Sequence, residues 1–216
     1  MIHVYAFASE LERVPPMPGI ENSPLGARSF GDIVAVTSFH ATRLDTPARS
    51  DIVRHGEVVA ALLDSAGSVL PARFGEDFAD DAAFEAAVTP KLPALRRRLG
   101  EVANHVEVGL RVLDTVTDAP VRQEGGGAEY LRALVPSVQR RDLVASELHE
   151  PVAALATAHR LSPALDRSSL HTGAYLVPGD DVPVVTEIVE RFADAHPDLT
   201  VLCTGPWAPY SFAEAS

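Results

Sequence analysis

The sequence predicts an α+β protein built as two successive mixed units, and three observations carry that prediction. The second half opens on a long alternating strand and continues as helix, strand, strand, helix, strand. The first half places an apolar strand, a hairpin and an amphipathic helix in turn. The chain has 216 residues, 46% of them apolar and 22% charged. That is enough for one large core or two small ones, and no apolar run approaches the length of about eighteen residues that crosses a bilayer. The expected organisation is an N-terminal α+β domain over 1–100, a ferredoxin-like domain over 101–204 and an aromatic, proline-rich tail over 205–216.

The N-terminal elements follow from local chemistry. Residues 2–8 (Ile-His-Val-Tyr-Ala-Phe-Ala) read as a strand, with no basic stretch that would make a signal peptide, so synthesis in the cytosol is expected. A loop follows at Val14-Pro15-Pro16-Met17-Pro18-Gly19. Residues 27–38 form a hairpin, with Ile33-Val34-Ala35-Val36 buried and Gly31-Asp32 near the turn. Thr46-Pro47 reads as a helix N-cap with proline at the first helical position. The helix after it should bury Ile52, Val59, Leu62 and Leu63 and end near Gly67. Val69 to Gly75 is a short strand and turn. Asp80 or Asp81 then caps a helical region whose stripe is Phe84, Val88, Leu92, Leu95 and Leu99. Pro90 and Pro93 must kink or break it.

The second unit opens near Gly100 and is the more regular of the two, the first being a looser α+β relative. Val106, Val108, Leu110 and Val112 alternate with His105, Glu107, Gly109 and Arg111, which describes a half-buried strand. A loop over 115–127 ends in three glycines, and a long helix is expected from about Glu129 to His159. Leu161 to Arg167 and Leu170 to Val177 pair as a hairpin. Asp180 or Asp181 begins a helix with Val185, Ile188, Val189 and Phe192 inward, and His196-Pro197 stops it. Leu199 to Thr204 is the last strand. This βαββαβ order is the split arrangement of ferredoxin-like domains, which hosts many functions and decides none.

Composition excludes several classes of function. The formal net charge is −12, which opposes nucleic acid and anionic membrane surfaces and favours dispersal in water. The single cysteine, Cys203, rules out an intrachain disulfide and reads as a small apolar strand residue rather than a reactive thiol. Of the eight histidines, His149 and His159 fall on the predicted long helix at a spacing that does not form a zinc-binding pair, so they read as solvated. Gly125-Gly126-Gly127 lacks the Lys-Ser/Thr of a phosphate loop. A Gly-x-Ser-x-Gly elbow and Cys-x-x-Cys ligands are absent from the sequence. The acidic pairs Asp80-Asp81 and Asp180-Asp181 read as helix caps. No catalytic constellation, metal or cofactor is therefore expected.

Two segments stand out from this background. Arg73 and Phe74 sit in Leu70-Pro71-Ala72-Arg73-Phe74-Gly75. There arginine normally pairs within its own domain, whereas an exposed Arg73–Phe74 pair would resemble an interface anchor. The tail, Cys203-Thr204-Gly205-Pro206-Trp207-Ala208-Pro209-Tyr210-Ser211-Phe212, carries the only tryptophan. Large rings on a proline-stiffened segment are expected to dock, and Trp207 and Tyr210 are expected to dock on the protein's own surface.

These segments together resemble the gas vesicle protein F/L family. The Leu70–Gly75 run is similar to that family's LPVRFG segment, and His55 with Val58 and Val59 resembles the helix before it. Ala174-Tyr175-Leu176-Val177 and the Gly205–Phe212 tail resemble its C-terminal half, with Ala208 where the family commonly has a second proline. The resemblance implies a two-domain α+β accessory or minor component of gas vesicles, localised to the vesicle and cytoplasm. It implies that the protein binds the major, very apolar shell subunit and other gas vesicle accessory proteins, limits aggregation of that subunit and supports nucleation. The implied interaction or structural residues are Arg73, Phe74, Trp207, Pro209, Tyr210 and Phe212. The alternatives are a small-molecule-binding or enzymatic ferredoxin-like protein, for which a deep cleft with perturbed titratable groups would speak, and an unrelated oligomeric scaffold.

Overall fold

Strand β1, Ile2–Ser9, is buried along almost its whole length because it is paired on both edges. In this computed structural model, which describes residues 1–40, 48–114, 138–163 and 168–213, the chain is α+β. It divides into one compact unit of residues 1–105 with the segment from Trp207, and a second of residues 106–206.

In the first unit, β2 (Leu25–Phe30) and β3 (Ile33–Phe39) form the expected hairpin around Gly31. Gly31 has φ 71°, a left-handed conformation that costs a residue with a Cβ. Strand β3 pairs antiparallel with one edge of β1. On the other edge, β4 (Ser68–Pro71) covers residues 6–9 and the short β5 (Asp77–Phe78) covers residues 2–3, placing Asp77 directly opposite His3. Val4 pairs with Thr37 and Ala6 with Val36, so Tyr5 is the extra residue of a β-bulge. The bulge brings Tyr5 and Ala6 into one cluster with Val58, Val59 and Leu62 of α1 (Arg49–Leu63). Gly19 passes against the Tyr5 hydroxyl, leaving no room for a Cβ.

Helix α1 starts on a hydrogen bond from the Ala48 N–H to the Asp51 carboxylate, 3.1 Å; Thr46-Pro47, the expected cap, lies outside the described residues. Its buried face is His55, Val58, Val59 and Leu62, while Ile52 is 50% exposed. This corrects the expected stripe: the buried face begins one turn later, at a histidine whose two ring nitrogens both find partners. Asp80 caps α2 (Asp81–Val88) by accepting from the Ala83 N–H at 2.8 Å. A 3₁₀ turn at Thr89–Lys91 separates α2 from α3 (Leu92–Glu101), with Pro90 and Pro93 each in a first turn, where the missing N–H costs little.

The second unit has a four-stranded sheet. Its strands are β6 (His105–Asp114), β7 (Ala158–Leu161), β8 (Ser169–Pro178) and β9 (Leu199–Trp207), in the spatial order β7-β8-β6-β9. Val108, Leu110 and Val112 of β6 are buried as the alternation requires. They share a core with Val144, Leu148, Tyr175 and Phe192. The three glycines and the start of the predicted long helix lie outside the described residues. The described part runs from residue 138 through a π-turn at Ala145–His149 into α4 (Glu150–Leu155). Pro151 cannot donate to the preceding turn, which accounts for the looser winding before it.

The helix then stops earlier than expected. Ala156 is extended, the Thr157 N–H donates to the Leu176 carbonyl, and His159 pairs with Tyr175 across the β7–β8 ladder. His159 is thus a strand residue, because ladder pairing with β8 outweighs the helix propensity of an Ala-rich run. Val185, Val189 and Phe192 of α5 (Val182–Ala195) are buried as expected, but Asp181 makes no side-chain cap hydrogen bond. A 3₁₀ turn at Gly179–Asp181 leads into the helix instead. Cys203 is exposed on β9 rather than packed.

Candidate functional site

The tail reaches the first unit through small and buried groups. Ala208, Pro209 and Phe212 are buried, Ala208 joins the Tyr5–Leu62 cluster, and the Phe212 carbonyl accepts from the Arg98 guanidinium at 3.2 Å. Trp207 is 50% exposed and Tyr210 is 42% exposed. This corrects the expectation that the two large rings dock. A ring is expensive to leave wet, but the anchoring falls to Ala208, Pro209 and Phe212, and the two rings flank the buried pair. Arg73 is exposed, and Phe74 is half-buried against the His3 and His55 rings at 5.5 and 5.7 Å. The two neighbours thus have different surroundings and do not form one exposed anchor.

Beneath Phe74 lies a polar network that the sequence reading missed. His3 Nδ1 is 2.7 Å from Asp77 Oδ1, and His40 Nε2 is 3.3 Å from the same oxygen. His3 Nε2 is 2.9 Å from His55 Nδ1, and His55 Nε2 donates to the Ala72 carbonyl at 3.1 Å. Tyr5 stacks on His55 at 5.4 Å, and its hydroxyl meets Ser38 Oγ and accepts from the Ile20 N–H, both at 2.8 Å. Burial pushes His55 down to about 4, with the neighbouring His3 adding to the effect. Burial also lowers His3, against the opposing pull of Asp77. One signal was available: His3 interrupts an apolar strand with neighbours on both edges, where a polar group must be satisfied internally.

The second unit holds a parallel arrangement. The buried Tyr175 hydroxyl lies 2.7 Å from His149 Nδ1 and 2.8 Å from His171 Nε2. The His159 ring sits 5.0 Å from that of His149. His149 is therefore half-buried and hydrogen-bonded rather than solvated, whereas His159 is exposed as expected but lies on a strand. Burial, then the neighbouring His149 and His159, holds His171 at about 4, and burial raises the Tyr175 phenol well above its ordinary value.

A concavity of about 370 Å³ in the first unit is lined by Ser9, Ser68, Asn104 and the Asp32–Arg96 pair. Arg96 Nε donates to Asp32 at 2.8 Å, and this hydrogen bond lowers the carboxyl. None of the network histidines lines it. The buried histidines and the concavity are thus separate, and the shifted groups that do line it, Asp32 and Arg96, are partners in one exposed ion pair. No helix among the described residues is long and apolar enough to cross a membrane.

Comparison with known proteins gives a consistent picture. A family model described as "Gas vesicle synthesis protein GvpL/GvpF" matches residues 1–214. Gas vesicle protein F2 of Halobacterium salinarum is 27% identical over 190 residues, 86% of this chain and 78% of that protein. Gas vesicle protein L of a Streptomyces species is 26% identical, covering 98% of this chain and 92% of the relative. The crystal structure of GvpF from Microcystis aeruginosa superposes with a TM-score of 0.83 at 17% identity, covering 99% of both chains. That of GvpF from Anabaena superposes at 0.84 and 16% identity, covering 100% of this chain and 98% of that one. These last two show the shared fold.

Proposed function

Because the chain belongs to the gas vesicle synthesis protein GvpL/GvpF family, its role lies in gas vesicle assembly, and we propose that within that role it binds the major apolar shell subunit, limits the aggregation of that subunit and supports nucleation. The observation that carries this reading is the tail. Trp207 and Tyr210 stand exposed on a segment whose neighbours Ala208, Pro209 and Phe212 are buried. Exposed rings on an anchored, proline-stiffened backbone lose little entropy when they meet a partner. The net charge of −12 keeps a complex with an apolar subunit dispersed. The β7-β8-β6-β9 order supports reading the second unit as ferredoxin-like; Pro209 and Phe212 anchor the binding tail, Phe74 packs on the cluster that Ala208 joins, and Arg73 is a further candidate contact.

The test is Trp207→Ala. At a half-exposed position it is expected to change folding stability by less than about 0.5 kcal/mol. Capture of the shell subunit in a co-expression pulldown is expected to fall several-fold. Phe212→Ala, by contrast, is expected to destabilise by about 3 kcal/mol. Equal capture by the Trp207 variant and the parent protein, or by an unrelated acidic protein, would overturn the reading.

A further inference from the structure

The hydrogen bonds of the first unit's histidine network fix which ring nitrogens carry protons, and they leave two lone pairs facing each other. The Ala72 carbonyl only accepts, so His55 Nε2, 3.1 Å away, donates. A neutral imidazole has one N–H, so His55 Nδ1 accepts from His3 Nε2 at 2.9 Å. As a neutral ring, His3 keeps a lone pair on Nδ1, which lies 2.7 Å from Asp77 Oδ1, also an acceptor. His40 Nε2 is aimed at the same oxygen from 3.3 Å. The side chains of His3 and His40 have no solvent exposure and that of Asp77 has 4%. A proton or a metal ion is required where these atoms converge.

We propose that His3, His40 and Asp77 form a binding site for a divalent transition-metal ion of the zinc class, with His55 and the Ala72 carbonyl orienting His3 from behind. The three donor atoms lie within 4.8 Å of one another, and no other group of at least three His, Cys, Asp or Glu side chains among the described residues does so. Two imidazoles and one carboxylate are a borderline donor set. It suits zinc and its first-row neighbours rather than calcium or magnesium, which prefer oxygen ligands. Bonds of about 2.0–2.2 Å place tetrahedral ligand atoms about 3.3 Å apart, which the His40–Asp77 separation of 3.3 Å already meets. The closer His3–Asp77 pair opens by about half an ångström to admit the ion. In its absence a proton occupies the same gap. The His3-to-His55-to-carbonyl relay is the outer hydrogen bonding that zinc-bound histidines use to fix their tautomer. Strand pairing supplies the framework, because His3 and Asp77 are register partners across β1 and β5.

The experiment is calorimetric titration of the untagged, chelator-treated full chain with zinc chloride, with cobalt(II) as a spectroscopic stand-in. One equivalent is expected to bind with a micromolar or tighter Kd, and cobalt is expected to give the visible band of a four-coordinate site. Asp77→Asn and His40→Gln are expected to weaken zinc at least about tenfold, and His55→Gln to weaken it about tenfold by releasing His3. His171→Gln, in the other unit, is expected to leave the affinity unchanged. Absence of saturable binding at millimolar zinc overturns the proposal. So does binding that survives both the Asp77 and His40 variants, or that is lost with His171→Gln. If the Asp77 and His40 variants do not fold, the parent protein decides: a cobalt spectrum without the four-coordinate band overturns the site. Shell-subunit capture is a separate assay, so failure of either proposal leaves the other standing.

Discussion

Tyr5 and Tyr175 are both fully buried, and each stands among histidines, but the two groups handle charge in opposite ways. The Tyr5 hydroxyl is satisfied by Ser38 and the Ile20 N–H, and the histidines beside it lead to a carboxylate, Asp77. The Tyr175 hydroxyl is itself the hub, shared by His149 and His171, and among the described residues no carboxylate hydrogen-bonds to that group. The first cluster sets a carboxylate against two ring nitrogens, an arrangement that accommodates a cation. In the second, one imidazole accepts the phenolic proton and the other donates to the oxygen, and burial with the neighbouring histidines lowers both His149 and His171. The same residue types therefore give a cation-tolerant site in one unit and a cation-averse one in the other. The difference is one aspartate in register with a strand histidine.

The largest test of this contrast is Asp77→Ala. It strips the acceptor from two buried histidines, and a loss of about 3 kcal/mol is expected from denaturant unfolding at neutral pH. A loss below about 0.5 kcal/mol would mean that the carboxylate does not organise the first cluster. Next is Tyr175→Phe, which leaves two ring nitrogens without their shared partner. One is reachable by water, since His149 lies nearer the surface, so about 1–2 kcal/mol is expected. A neutral result there would remove the hub from the comparison.

The smallest effect is in the pH dependence. His171 is held at about 4 against an ordinary 6.5. Between those values the unfolded chain binds more protons than the folded one, so stability is full above pH 6.5 and falls as the pH drops toward 4. His171 is partly exposed, which discounts its share to about 1 kcal/mol. His171→Gln should flatten that part of the curve of urea midpoint against pH, and an unchanged slope would assign the acid sensitivity elsewhere.

Much of the framework was legible in the sequence because it rests on local rules. The alternation of β6, the Asp80 cap and the break at Pro90 and Pro93 each depend on a few adjacent residues. What escaped depends on pairing between distant ones. His159 was placed on a helix because an Ala-rich run favours one, and only its ladder with β8 draws it into a strand. Ile52 was placed inward by periodicity, which does not reveal that His55, one turn on, finds both the Ala72 carbonyl and His3. The metal-capable cluster joins positions 3, 40 and 77, and no spacing rule reaches that far. The tail was recognised as a docking segment, but the docking groups, Ala208, Pro209 and Phe212, are not its most conspicuous residues.

The route of the chain has a consequence for how the molecule is made. Residues 106–206 form one compact unit that interrupts the other, and the first unit receives Ala208 and Phe212 only after that excursion. On a ribosome, which delivers sequence from one end, folding ordinarily begins with whatever emerges first. Here residues 1–105 wait: their core lacks Ala208, Pro209 and Phe212 until synthesis has passed through residues 106–206. The later-made unit, uninterrupted in sequence, has all of its parts sooner. A frameshift or stop codon just before Ala208 would then injure the unit built by residues 1–105, about a hundred residues upstream.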